Sequence, residues 1–550
     1  GGQRVSRQFE LTVRPAWPGV VSSRAQQLAP DARLNLGTAE LAGLMADTAT
    51  LRLTVSTHPP IPYARALQEL LAYPYGCVEQ TTTRGFAALL LDADTAARMG
   101  ISGLDDNSRR QRLEGALGRL AALQLANGHF AFWGGGDSAV PILTPYIAEF
   151  LLLARDAGFA VPESVLQKTL ERLSEDLLSG GLPFYAYDQA DHLRLAYQAH
   201  AGYVLATLNR APLGTLRALW DNQRDKALSG LPLLHLGLAL QAQGDAGRGA
   251  QAIAAALARK DARPRWLGDY GSALRDRAQM LALLQQHGLR PDGFDDQLLA
   301  LSRELQARPG DRYWLSTQEQ IALARLGKGL LTEGDSRIAG AWALGDAREA
   351  LPERRSFSRD FHAAELARGL RLHSTAASPL FVSVDVAGVP SVAPKADDSA
   401  VSVQRRWFHA DGKPWQGGPL REGQSLVAAL RVESRETMAD ALLVDLLPAG
   451  LEIENLNLTD PAQWSDVVIE GVTLSERSDA AQIQHEEYRD DRYVAALKLQ
   501  AGQPAQLFYL VRAVTPGTYV APPPQVEDMY RPMLRGVGEP RPASITVLEP

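Results

Sequence analysis

The sequence predicts a multidomain protein of mixed α and β class: strands, a large helical insert, strands again, and a terminal β-sandwich. Three observations carry that expectation. Apolar residues alternate with polar ones up to about His58, take helical spacing from Tyr63 to about Leu331, and return to period two after about Gly334. In the first segment Leu51, Leu53 and Val55 are separated by Arg52 and Thr54, which is the pattern of a half-buried strand. The run His58-Pro59-Pro60-Ile61-Pro62 ends it, because proline cannot donate to a sheet ladder. In the helical block Leu113, Leu117, Leu120 and Leu123 share one helix face, and Gly and Pro recur at intervals suited to helix pairs. Stacked helical hairpins, closing into a toroid or running as a solenoid, follow from about 270 such residues with short connections.

After the block, Val382, Val384 and Val386 alternate with Ser383 and Asp385, and the Pro/Asp-rich stretch from Pro390 to Asp398 reads as a linker. Asp411-Gly412 reads as a hairpin turn, residues 426–432 and 442–446 as strands, Pro448-Ala449-Gly450 as a turn, and residues 507–514 as another strand. Such short strands with turns between them argue a β-sandwich of about 150 residues. The expected boundaries are 1–58 and 334–395 for two parts of one β-domain, 59–333 for the helical insert, and 396–550 for the sandwich. Residues 120–133 read as a helix ending at Asn127-Gly128 followed by Phe130, Phe132 and Trp133. That stretch resembles the helix-end signature of α/α toroids, and a glycine cap followed by core aromatics describes the same object.

Composition narrows the function. The 56 Lys and Arg are outweighed by 63 Asp and Glu, for a formal charge of −7, and the basic residues are scattered, so nucleic acid is not an expected partner. No apolar run reaches the roughly 20 residues that span a bilayer. The chain begins Gly1-Gly2-Gln3-Arg4-Val5, with no initiator Met and no apolar leader, and runs into strand-like Phe9-Glu10-Leu11-Thr12-Val13. It reads as a piece of a longer protein, with any signal or lipid anchor upstream. One cysteine, Cys77, in 550 residues excludes an internal disulfide and any multi-cysteine zinc or iron–sulfur site. No metal and no cofactor are expected.

That cysteine sits in Tyr73-Pro74-Tyr75-Gly76-Cys77-Val78-Glu79-Gln80-Thr81. A Cys and a Gln three positions apart at a helix start face each other across one turn. If Cys77 Sγ attacks the Gln80 carboxamide, ammonia leaves and an internal thioester forms: a stored electrophile, since a thiolate leaves more readily than an amine. Storage requires dryness. Tyr73 and Tyr75 are suitable lids, and Gly76 allows close backbone approach. A lone Cys is ordinarily a small buried hydrophobe, but Glu at +2 with Gln at +3 arises by chance roughly once in a few hundred cases. A Cys-protease would need a histidine, and His58 and His129 lie in a proline-rich connector and a helix-end turn with no signature around them.

Tyr-Gly-Cys-Val-Glu-Gln-Thr resembles the thioester motif of the alpha-2-macroglobulin and complement superfamily, in the Cys-(Leu/Val)-Glu-Gln form of the bacterial alpha-2-macroglobulins. Residues 314–323 (Trp-Leu-Ser-Thr-Gln-Glu-Gln-Ile-Ala-Leu) resemble the last helix of that family's toroid, and residues 507–523 its final strands. The resemblance implies an α/α-toroid thioester domain inserted in a CUB-like β-domain and followed by a macroglobulin-like β-sandwich. It implies an endopeptidase inhibitor, not an enzyme: a protease cuts a bait region, the thioester is exposed, and a lysine amine of the protease is trapped on Gln80 as Cys77 departs. It also implies a periplasmic lipoprotein acting alongside a penicillin-binding protein, as a monomer, with Tyr73 as the shielding residue and Tyr75 sharing that role.

This sequence departs from the family pattern in lacking the upstream macroglobulin domains and bait region. None of His129, His192 and His200 matches the histidine by which complement proteins redirect the acyl group to hydroxyls, which favours amine targets. Two other readings stand beside this one: a thioester adhesin, and an α/α-toroid enzyme in which Cys77 only packs. The acid pairs Asp105-Asp106 and Asp295-Asp296 read as loop residues, Glu486-Glu487 and Asp490-Asp491 as solvated groups before a strand, and Gly134-Gly135-Gly136-Asp137 as a turn.

Overall fold

The computed structural model describes residues 15–73, 75–99, 101, 105–134, 138–180, 189–307, 315–332, 335–454 and 466–549. The strand-like segment Phe9 to Val13, Pro74, Trp314 and residues 135–137 lie outside them. The chain divides into two compact units: Ser22–Glu40 with Thr50–Val386, and Leu41–Ala49 with Ala387 onward and the described residues up to Val21.

The first unit carries β1 (Val20–Leu28), β2 (Arg33–Leu36) and β3 (Thr50–Ser56) before its helices, and β4 (Gly340–Leu344), β5 (Ala347–Ala350), β6 (Ser356–His362), β7 (Leu370–Ser374) and β8 (Leu380–Gly388) after them. They form two four-stranded sheets, ordered β1-β8-β3-β6 and β2-β7-β4-β5, so strands from both sides of the helical run share each sheet. Arg52 on β3 stands opposite Asp360 on β6 and binds it in a two-pronged ion pair, at 2.6 and 2.7 Å.

Among the described residues the α-helices between β3 and β4 are α1 (Tyr63–Ala72), α2 (Val78–Leu90), α3 (Ala93–Met99), α4 (Asp106–Leu123), α5 (Thr144–Asp156), α6 (Glu163–Ser179), α7 (Ala190–Ala206), α8 (Leu213–Gln223), α9 (Leu231–Ala242), α10 (Ala246–Ala258), α11 (Ala273–Gln286), α12 (Phe294–Ala307) and α13 (Thr317–Thr332). In succession α2, α5, α7, α9, α11 and α13 pack on one another, and α13 returns to α2, so these six close a cycle. Around them α4 backs onto α2, α6 onto α5 and α7, α8 onto α7 and α9, α10 onto α9, α12 onto α11, and α1 onto α13. Sequence explains which helix takes which place. The first ten residues of α9 are all buried, as suits an inner helix, whereas α4 buries only Leu113, Ala116, Leu117, Leu120 and Leu123. Each of those leucines contributes about 1.5–3 kcal/mol by leaving water. Where α2 meets α5 the backbone comes close: a Cβ on Gly85 would lie 2.5 Å from the Phe150 ring.

Two expectations about helix ends need correction. The helix of residues 120–133 stops at Leu123, not at Asn127-Gly128. Gln124 is already extended and bridges Phe130, and Leu125 N–H donates to the His129 carbonyl at 2.8 Å, so residues 124–131 make a tight return with Gly128 at φ +88°. The return lays the buried aromatics Phe130, Phe132 and Trp133 back toward the start of α2, where the Phe132 carbonyl accepts the Val78 N–H at 2.8 Å. Likewise Asp105 is no loop acid. It caps α4 by accepting the Ser108 N–H at 2.6 Å, and Asp295 and Asp296 lie in the first turn of α12, where carboxylates complement the helix dipole.

In the second unit Ser425–Ser434 lies between Val401–His409 and Pro504–Ala513, with Leu451–Glu454 at the edge of that sheet. A five-stranded sheet runs Gln482–Arg489, Arg492–Leu499, Met438–Leu446, Gln525–Asp528 and Arg535–Val537, and Leu420–Arg421, Ser544–Leu548 and Gly517–Val520 make a third. Glu486 and Glu487 therefore lie within a strand rather than before one. Trp407, Tyr493, Tyr509 and the alternating Leu and Val of these strands form one core. Inside it the fully buried Arg405 and Asp445 pair at 2.5 Å, and the Tyr509 hydroxyl donates to Asp445 at 2.6 Å. The stretch from Pro390 to Asp398 is tied down rather than loose: Trp17 Nε1 donates to the Pro390 carbonyl, Ser391 N to Gly43, and Asp397 exchanges backbone bonds with Val537. No helix among the described residues is long and apolar enough to cross a membrane.

Candidate functional site

Cys77 occupies the cap position of α2, with extended backbone at φ −63° and ψ 171°. The helix starts there because two reciprocal bonds satisfy its first donors. Gln80 N–H donates to Cys77 Sγ at 3.4 Å, and Cys77 N–H donates to Gln80 Oε1 at 3.3 Å. This is a capping box with sulfur in the place normally taken by a Ser or Thr oxygen. The consequence is chemical as well as structural, because the box folds the Gln80 carboxamide back over the residue whose thiol could attack it. Both side chains are fully buried.

The residues expected as lids stand next to the pair, Tyr73 on Gln80 and Tyr75 on Tyr73. Gln80 Nε2 donates to the Tyr73 hydroxyl at 3.3 Å. Tyr73 is half-buried and meets the buried Tyr75 edge-on, with ring centroids 5.4 Å apart. The Thr81 hydroxyl donates to the Gly76 carbonyl and the Thr82 hydroxyl to Val78, which pins the turn that leads into the box. Beyond it Phe132 stacks on Tyr270 at 5.7 Å.

The three histidines considered as acyl carriers are occupied elsewhere. His129 shares a 2.8 Å hydrogen bond with Thr144 and lies 3.5 Å from Asp176. Burial pushes its pKa down to about 4 against the pull of Asp176. His192 Nδ1 accepts from the Leu228 N–H, and His200 Nε2 lies 3.2 Å from Glu149. Burial alone would raise the Glu149 carboxyl, but the Arg325 guanidinium 2.6 Å away and His200 hold it well below the usual carboxylate range. Among the described residues no group of three or more His, Cys, Asp or Glu could hold a metal ion.

One participant escaped the sequence. Glu79, fully buried, accepts from Thr83 and from Thr317 and Gln318 at the start of α13. Only its place inside the motif hinted at a role, since its partners on α13 lie more than two hundred positions away.

Residues 401–532 match the family model described as the bacterial alpha-2-macroglobulin MG10 domain. The chain is 54% identical, over its whole length, to a Xylella fastidiosa protein named alpha-2-macroglobulin, of which it covers 34%. It is 38% identical over 97% of its length to the Escherichia coli protein of the same name, of which it covers 32%. The chain thus spans about a third of the length of these relatives. Its fold matches the crystal structure of native Escherichia coli alpha-2-macroglobulin from domain MG7 to the C-terminus with a TM-score of 0.89 and 35% identity, covering 98% of this chain and 83% of that one. It matches Salmonella alpha-2-macroglobulin reacted with methylamine with a TM-score of 0.88 and 38% identity, over 97% of this chain and 34% of that one.

Proposed function

This chain belongs to the bacterial alpha-2-macroglobulin family, and we propose that it carries the covalent warhead of a protease inhibitor, an internal thioester between Cys77 and Gln80. The observation that supports this most is the buried reciprocal capping box, which sets thiol and carboxamide within one helical turn. In the formation step Cys77 Sγ bonds to Gln80 Cδ. The Cδ–Nε2 bond breaks, and the thiol proton goes with the nitrogen as ammonia. The Cys77 N–H points at Oε1, where negative charge develops, and so acts as an oxyanion donor. Tyr73 faces Nε2, the nitrogen that leaves.

In the trapping step a lysine amine of the protease bonds to Cδ, the C–S bond breaks, and Cys77 leaves as a thiolate. The partial positive charge of the α2 N-terminus stabilises that thiolate. Tyr73 and Tyr75 keep water off the bond until then. The helical ring is the thioester domain, an α/α toroid set into a CUB-like β-domain, and the terminal sandwich is macroglobulin-like. Bait-region cleavage as the trigger, a periplasmic lipid-anchored home, the link to a penicillin-binding protein and a monomeric state belong to the same proposal. Salmonella alpha-2-macroglobulin reacted with methylamine gives the matching test. In the protein at its natural length, methylamine releases one titratable thiol, and Cys77→Ala abolishes both that thiol and covalent capture of a lysine-bearing protease. A thiol already titratable in fresh native protein, and indifferent to methylamine, contradicts the reading.

A further inference from the structure

Glu79 stands between Cys77 and Gln80 in sequence yet has different neighbours. The Gln80 carboxamide meets Tyr73 and the Cys77 N–H. The Glu79 carboxylate meets α13: Thr317 Oγ1 donates to Oε2 at 2.8 Å, Gln318 Nε2 to Oε1 at 2.6 Å, and Thr83 Oγ1 to Oε1 at 2.6 Å. Thr83 in turn shares a 2.8 Å bond with the Tyr146 hydroxyl on α5. The start of α13 is itself braced, since Ser316 and Glu319 cap it reciprocally and the Ser272 hydroxyl at the head of α11 donates to Glu319 at 2.7 Å. One carboxylate therefore gathers the inner helices α2, α5 and α13 at the point where the helical cycle closes. Thr83, Thr317 and Gln318 are all less than a tenth exposed.

We infer that Glu79 is a positioning residue that keeps the Cys77–Gln80 bond dry by fastening α2 to the first turn of α13; the inference rests on the thioester reading above. Buried donors that lose an acceptor take water instead. Emptying the Glu79 position takes the acceptor from the Thr317 hydroxyl and the shorter of two bonds from Gln318 Nε2, which also reaches Thr83 Oγ1 at 3.2 Å, and the water admitted in place of the carboxylate lies about one helical turn from Gln80. There a water oxygen bonds to Gln80 Cδ, the C–S bond breaks, Cys77 takes up the proton, and position 80 becomes glutamate. Glu79 performs no step of that chemistry. It acts through the packing that excludes the water.

The test follows the lifetime of the thioester without added amine, by thiol appearance and intact mass, in the protein at its natural length. The variants are Glu79→Ala, Glu79→Gln, and the pair Thr317→Val with Gln318→Leu, which leaves the motif untouched. Glu79→Ala and the α13 pair are expected to lose the bond about tenfold faster than wild type or more. Glu79→Gln stays within about threefold, because its amide oxygen still accepts from Thr83 and Gln318 and its NH2 can donate to the Thr317 hydroxyl. If Glu79→Ala does not fold, the α13 pair decides alone. A wild type that carries the bond, with an α13 pair that keeps it equally long, overturns this inference and spares the thioester reading. A wild type that never carries the bond overturns both.

Discussion

Cys77 and Gln80 in the helical unit, and Arg405 and Asp445 in the sandwich, are all buried, but they are made safe in different ways. Arg405 and Asp445 are matched charges at 2.5 Å, with Tyr509 on the remaining carboxylate oxygen and the Pro522 carbonyl on the guanidinium. The two side chains tie the strands Val401–His409, Met438–Leu446 and Pro504–Ala513 together, although Arg405 Nε is left buried without a partner. Cys77 and Gln80 hold each other by long bonds of 3.4 and 3.3 Å beside Tyr73, Tyr75 and Phe132, which on the proposed reading protect them. The difference teaches how to tell a structural polar cluster from a reactive one. In the first the partners are matched by opposite charge, and in the second, on the proposed reading, they are enclosed with thiol and carboxamide facing one another.

The contrast breaks most visibly at the sandwich. Arg405→Met leaves the Asp445 carboxylate buried without its guanidinium and is expected to cost about 3–5 kcal/mol in denaturant unfolding. Adding Asp445→Leu returns most of that loss, since apolar pairs replace buried ion pairs well. A double variant no more stable than Arg405→Met would show that the ion pair does more than balance itself.

Acid separates the two units next. In the first unit burial pushes His58 and His129 down to about 4 and also lowers His192, His235 and His287. The unfolded chain then binds more protons than the folded one between roughly pH 4 and 6.5, so this unit is fully stable above 6.5 and weakens as pH falls through that window. Asp385, raised by burial, opposes this as one group against five. In the sandwich the signs reverse: burial raises Asp445 despite Arg405, and raises the half-buried Glu527 to about 7. There the folded form binds more protons, and stability rises as pH drops from 7 toward 4.5. Hydrogen exchange followed peptide by peptide, corrected for intrinsic rates, should show α5, α7 and α9 losing protection between pH 7 and 5 while Met438–Leu446 holds or gains it. A parallel loss in both units would contradict the assignment of charge to these groups.

The smallest expected effect is on stability at the reactive pair itself. Cys77→Ala removes a helix cap, worth about 1 kcal/mol, and abolishes thiol release completely. Large damage to stability with reactivity retained would reverse the contrast.

How far this was legible follows from the range of each interaction. The Cys77–Gln80 box is local, three residues apart, and the motif displays it. The leucine face of α4 is likewise periodic and was visible, as were the strands at 426–432 and 442–446. The end of α4 was misread because Asn127-Gly128 is equally good chemistry for a cap and for a tight turn, and the choice was made by Phe132, whose carbonyl bonds to Val78. Asp105 reads as a loop acid because the same Asx geometry serves turns and helix starts. The tie from Glu79 to Thr317 and Gln318 was invisible, since it exists only after the helices have closed their cycle.

The most direct measurement is the intact mass of freshly purified protein at its natural length, before and after methylamine. The account predicts a mass one ammonia below that of the translated sequence, rising by one methylamine on treatment, with the adduct on Gln80. A mass equal to that of the translated sequence, unchanged by methylamine, would contradict the central claim that Cys77 and Gln80 are joined.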